Sequence, residues 1–130
     1  MKKIITLLFI ALVSTSITFA QNNSTKKADK LFDRLEYVKA AEEYLKLADK
    51  SPDNYIIERL ADSYYNIFNT REAEKWYSKI IDDEPDAEVI FRYSEMLKAN
   101  GKYKESNVWM SKFSEMKPYD TRAIAFRNAP

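Results

Sequence analysis

The stretch LADSYYNIFNTREAEKWYSKII, residues 60–81, decides how this chain folds. Two amphipathic runs lie on either side of Asn69-Thr70. In the first, Leu60, Ala61, Tyr64 and Ile67 recur at three and four residues; in the second, Ala73, Trp76, Tyr77, Ile80 and Ile81 do the same. That spacing lays apolar side chains along one face of an α-helix. Each run carries one small residue, Ala61 and Ala73. Packed helices approach to about 8–10 Å, and the point of closest crossing admits only a small side chain. The stretch therefore predicts two helices folded against each other.

The same pattern extends outward in both directions with a period of 33 residues. Pro52, Pro85 and Pro118 mark it. Ala40, Ala73 and Ser106 are in register, and so are Ala28, Ala61 and Ser94. The larger positions follow: Tyr44, Tyr77 and Met110, then Leu47, Ile80 and Phe113. A fixed period of this length marks a stack of supersecondary units. It directs attention to surface recognition rather than catalysis.

The elements follow from this period. A first helix, capped by Ser24 or Thr25, runs to about Leu35 with Ala28, Leu31 and Leu35 on its inner face, after a loose segment at 21–25. The second spans about Tyr37 to Lys50. Ser51-Pro52-Asp53 breaks the chain, because the residue before proline disfavours helix, and Asp53 caps the third helix, about Asn54 to Phe68. Asn69 with Glu72 matches a capping box for the fourth, about Arg71 to Asp82. Pro85-Asp86 repeats the punctuation before the fifth, about Ala87 to Ala99. Asn100-Gly101 closes it, glycine supplying the left-handed conformation helix ends commonly need. The sixth runs from about Tyr103 to Met116, and Asp120 caps a last amphipathic stretch, Thr121 to Arg127. A stack of this kind needs a polar end cap, and so short a last helix is expected to leave an apolar edge exposed near Trp109, Phe113 and Ala125.

Composition agrees. One Gly in 130 residues is far below the average usage of about 7 %, which leaves few sharp turns for hairpin strands. Residues 1–20 are of another kind: Lys2-Lys3, an apolar run from Ile4 to Val13, then Thr18-Phe19-Ala20 as a cleavage triplet. This is the pattern of a secretory signal peptide, and the apolar run is shorter than the roughly 20 residues of a membrane span. Without Lys2 and Lys3 the 21 basic residues fall to 19 against 20 acids. A chain so near neutrality lacks the basic surface that nucleic acid requires. It holds neither His nor Cys, which removes the usual metal ligands, the thiol nucleophile and the commonest general base. No metal, cofactor or catalytic residue is expected. Asp82-Asp83-Glu84 fits a solvated helix end better than a calcium loop, and no carboxylate pair is placed for hydrolysis.

The small pair Ala61 and Ala73, the aromatic four residues later (Tyr44, Tyr77), Tyr37 and Tyr103 at the start of second helices, Gly101 in a turn and the closing prolines resemble the tetratricopeptide repeat. The interval is one residue shorter than the usual 34. This resemblance implies an all-α fold: a right-handed α-solenoid of three tetratricopeptide hairpins (about 26–53, 54–86 and 87–118), with a capping helix and tail at 119–130. More narrowly, ADKLFDRLEYVKAAEEYLKL (28–47), residues 60–81 and YSEMLKANGKYKESNVWMSKF (93–113) resemble the amino-terminal repeats of Bacteroidota OmpA-family (PorE-like) envelope proteins. Such proteins continue into a β-propeller and a peptidoglycan-binding domain, and residues of neither occur here. The resemblance implies an exported, periplasmic protein associated with the outer membrane and a protein or peptide partner in the cell envelope. It also leaves a spacer linking outer-membrane or secretion machinery to peptidoglycan as the alternative.

In such a stack the first helix of each pair lines the concave face. Helical phase places Asp29, Phe32 and Asp33 there from the first unit. The second contributes Tyr55, Glu58, Asp62, Tyr65 and Asn66, and the third Phe91, Glu95 and Lys98. An acidic groove with interleaved aromatics suits an extended peptide bearing basic and apolar side chains; the competing expectation is an ordinary solvated helix face.

Overall fold

A computed structural model of the chain describes residues 24–130, and the expected signal peptide lies outside the described residues. The described residues are helical, without strands. We number the helices α1 (24–33), α2 (Tyr37–Lys50), α3 (Asn54–Asn66), α4 (Thr70–Tyr77), α5 (Ala87–Ala99), α6 (Tyr103–Met116) and α7 (Thr121–Asn128). From α2 onward each helix packs on its neighbours in the chain, and α3 also touches α5. None of the described helices is long and apolar enough to cross a membrane.

The period survives in three dimensions. Ala28, Ala40, Ala61 and Ala73 are all at most 1 % exposed, and Ser94 and Ser106 take the third set of places at 1 % and 5 %. The core around them is filled by Tyr44, Leu60, Tyr77, Leu97 and Phe113, each without measurable exposure.

The turns inside the helix pairs repeat just as closely. The chain adopts a left-handed conformation at Leu35 (φ 62°), Phe68 (φ 56°) and Gly101 (φ 81°), again at intervals of 33. At each turn the same two backbone bonds close the helix. Leu35, Phe68 and Gly101 donate to the carbonyls of Phe32, Tyr65 and Lys98, and the next residues, Glu36, Asn69 and Lys102, donate to those of Leu31, Tyr64 and Leu97. This nested pair satisfies carbonyls that a helix end otherwise leaves free. Glycine meets the left-handed geometry without strain; an L-residue does so at a cost of roughly 1–2 kcal/mol. Leu35 and Phe68 bear that strain while 69 % and 71 % exposed.

Several expected details are corrected. Leu35 and Ile67 point outward, because the chain leaves helical phase at residue 33 and after Asn66. Ser24 and Thr25 lie within α1, and Thr25 is buried. Asp53 and Asp120 do cap their helices, accepting from the amides of Ile56 and Arg122 at 2.9 Å. Asp86 makes no side-chain cap bond. Only half of the capping box forms. Asn69 accepts from the Glu72 amide, while the Glu72 carboxylate turns to the indole N–H of Trp76 at 3.2 Å. Helix α4 ends early, at Tyr77, and continues through i→i−3 bonds from Lys79, Ile80 and Asp83. Carboxylates at a helix C-terminus oppose its dipole, and Asp82-Asp83-Glu84 follow directly. The apolar edge expected near α7 is largely closed. Phe113 is fully buried beneath Phe91 and Arg122, and Trp109 packs edge-on against Tyr93 at 5.6 Å; Ala125 alone of the three is exposed.

Arg122 docks α7 on the rest. It pairs with Asp120 at 2.8 Å and with Glu88, and it holds the Asp120 carboxyl down at about 2, chiefly through its side-chain hydrogen bond.

Relieving strain at the turns should be measurable. Phe68→Gly and Leu35→Gly are each expected to raise the unfolding free energy by about 1 kcal/mol. Gly101→Ala should lower it by about 1 kcal/mol, and through the backbone alone, since an added Cβ would meet no atom within 4 Å. Urea unfolding followed by circular dichroism checks the signs; destabilisation by Phe68→Gly would contradict this account of the turn.

Candidate functional site

The face offered by α1, α3 and α5 is built around a carboxylate that recurs with the period. Asp29, Asp62 and Glu95 occupy equivalent places one turn before the end of their helices. The Tyr44 hydroxyl of α2 donates to Asp29, and the Tyr77 hydroxyl of α4 donates to Asp62. Both phenols stand well above their ordinary value of 10.0, first through burial and then through the neighbouring carboxylate.

The next unit adds a second link. Tyr55 donates to Asp29 at 2.8 Å and receives Arg59 Nε at 3.4 Å. Arg92 of α5 reaches back to Asp62 at 2.8 Å. Burial opposes the charge of Arg92, but the Asp62 carboxylate outweighs it and raises the guanidinium pKa. Each arginine also lies over an aromatic ring of the preceding unit: Arg59 is 4.4 Å from the Phe32 centroid and Arg92 is 5.5 Å from that of Tyr65. Such contacts contribute roughly 0.5–1 kcal/mol where exposed.

The residues expected to form the groove are therefore not equally available. Asp62 is only 4 % exposed and committed to Tyr77 and Arg92. Asp29 is half-buried and doubly bonded. Phe32, Tyr65 and Phe91 are half-buried, each beneath an arginine, Phe91 beneath Arg122 at 4.2 Å. Asn66 is exposed, and its amide donates to the Asp62 carbonyl at 2.8 Å. Asp33, Tyr55 and Lys98 are exposed, and Glu58 and Glu95 half-buried. The face expected from helical phase is thus overlaid by arginines that sequence reasoning passed over: Arg92 pairs with Asp62, Arg59 bonds Tyr55 and covers Phe32, and Arg122 covers Phe91. Arg59 and Arg92 could have been found, since they are themselves 33 residues apart.

Unlike Asp29 and Asp62, Glu58 is engaged by no hydrogen bond or ion pair. Its carboxyl is raised above the ordinary 4.5, by burial first and then by Asp62 and Asp86.

Phe91, Glu95 and Lys98 help to line a cavity of about 480 Å³ between α5, α6 and α7, together with Tyr103, Met110 and Phe126. A second hollow, near Thr70 and Lys102, is polar and internally satisfied: Glu74 there receives Asn100 at 2.6 Å and the Lys102 ammonium. Among the described residues no group of three or more His, Cys, Asp or Glu is placed to hold a metal ion. No protein-family model matches this chain, and a search of curated proteins finds no match.

Removing the Tyr77 hydroxyl should leave buried Asp62 short of a donor, so Tyr77→Phe is expected to cost about 1–2 kcal/mol. Tyr44→Phe should cost less, below about 1 kcal/mol, because Asp29 keeps Tyr55 and some water. Chemical denaturation of the two variants side by side checks the order, and the reverse order would refute it. Glu58 gives a pH test. Folding raises its pKa, so the folded chain holds this proton more tightly than the unfolded one. Its ionisation therefore lowers stability as pH rises from about 4.5 through the folded value. Glu58→Gln should be more stable than the parent at neutral pH and indistinguishable from it at pH 3 or below; a constant difference across pH would rule out ionisation as the cause.

Proposed function

We propose that this chain is a non-catalytic protein–protein interaction scaffold of the tetratricopeptide type. In this reading the helix pairs form a right-handed solenoid, α7 closes it, and the protein works in the periplasm as the amino-terminal repeat module of an OmpA-like envelope protein. The observation that carries the proposal is the recurrence, at 33-residue intervals, of the same left-handed turn with the same two backbone bonds at Leu35, Phe68 and Gly101. Units that repeat their turns and tight crossings so closely have a natural way to stack, and stacked helix pairs present one continuous face to a partner. The signal-like pattern of residues 1–20 supports export.

One observation favours the spacer reading. Two carboxylates of the first two units, Asp29 and Asp62, are spent on internal links, and Asp62 is buried. A surface whose charges are already paired offers less to a ligand than a free acidic groove.

Capture from an envelope extract decides between them when performed with matched variants. A partner retained by the parent protein should be lost when Tyr55→Ala and Tyr65→Ala are combined, provided circular dichroism shows the helices intact. A partner retained equally by parent and variant, or no partner at all, would favour the spacer.

A further inference from the structure

The third unit keeps the carboxylate of the first two but loses what holds it. In the second unit Asp62 is gripped by Tyr77 and by Arg92, whose guanidinium also lies over Tyr65. Thirty-three residues on, the acid is Glu95, the tyrosine is Met110, the ring of Tyr65 is Lys98 and the arginine is Ala125. The tyrosine's place is refilled, since Met110 is buried. The arginine's is not: Ala125 is exposed and lines the cavity of about 480 Å³ beside Glu95. No hydrogen bond or ion pair engages Glu95. Phe91, Tyr103 and Phe126 supply aromatic walls, and the volume lies within the roughly 300–1,000 Å³ of small-ligand sites.

Three charged residues line the cavity, Glu95, Lys98 and Arg122. Arg122 reaches it but is matched by two carboxylates, Glu88 and Asp120. That leaves Glu95 and Lys98, between which no ion pair forms, so the Glu95 carboxylate can take a donor from outside the chain.

We propose that this cavity receives the side chain of an arginine presented by a partner peptide, its guanidinium paired with Glu95 and its flat face against the aromatic walls. The site restores in trans the link that Arg92 makes in cis one unit earlier. Guanidinium is the fitting group because its planar fork meets a carboxylate with two parallel bonds and stacks on rings, whereas an ammonium does neither as well. The proposal rests on the scaffold reading and names the side chain that one part of its face selects.

The test is an amide-shift titration of the protein, by NMR, with blocked Ala-Arg-Ala and with its citrulline counterpart, which keeps the shape and loses the charge. The arginine peptide should give saturable shifts confined to α5, α6 and α7, and the citrulline peptide much weaker ones. Glu95→Gln should weaken binding about tenfold, the loss expected for one charge-assisted bond. Ala125→Arg, which returns the chain's own guanidinium to the cavity, should abolish the response and raise the melting temperature. Equal shifts from the arginine and citrulline peptides, no shifts at the highest soluble concentration, or full binding by Glu95→Gln or Ala125→Arg would each overturn the proposal. The two readings fail separately. Loss of the peptide response with partner capture still dependent on Tyr55 and Tyr65 removes this site and leaves the scaffold. Peptide binding without any captured partner removes the scaffold and leaves the site.

Discussion

Two helices can cross closely only where both present a small side chain, and that constraint governs this molecule. Ala28 with Ala40, Ala61 with Ala73, and Ser94 with Ser106 are all buried at equivalent places. A larger residue at any of them would force side chains from their rotamers or push the helices apart. The third crossing shows how strict the condition is. Serine adds a hydroxyl that would be costly to bury unbonded, and both hydroxyls are bonded: Ser106 Oγ donates to the Ser94 carbonyl at 2.8 Å and Ser94 Oγ to the Phe91 carbonyl at 2.7 Å. Size is preserved and polarity is accommodated.

Between units the joining force changes character. One carboxylate receives a hydroxyl from its own pair and a second donor from the next, Asp29 from Tyr44 and Tyr55, Asp62 from Tyr77 and Arg92. A single residue thereby fixes a helix pair internally and sets the following pair against it. The last join departs from this scheme. Ala123 is the one fully buried residue of α7, and the helix is held by polar bonds: Arg122 to Glu88 and Asp120, Arg127 to Ser114 at 2.7 Å and to the Pro118 carbonyl.

The helices and their order were legible because proline, asparagine and glycine punctuate the chain and apolar residues keep helical spacing between them. The equivalence of Ala40, Ala73 and Ser106 was legible for the same reason. What spacing could not reveal was where helical phase stops. Leu35 and Ile67 fit the apolar pattern, yet they lie where the backbone has already turned. Nor does helical phase disclose partners on other elements. It put Asp62 on the face of α3 without showing that Arg92, thirty residues later, would cover it. Arg122 was beyond reach altogether, since it stands three positions ahead of the place the period assigns to an arginine, where the chain has Ala125.

That displaced arginine explains how the third unit can be open without being unstable. Replacing Tyr by Met and Arg by Ala removes two donors, and a buried carboxylate left behind would be costly. Glu95 is one methylene longer than Asp62 and half-exposed, so water can serve it. Arg122 meanwhile covers Phe91 and Phe113 from within α7. Every buried side-chain nitrogen and oxygen among the described residues keeps a partner. A repeat protein can thus vary one unit at little cost, because the backbone is specified by small crossings and turns that the variation does not touch. Departures from the period are therefore where a particular binding preference can be written into an otherwise generic frame.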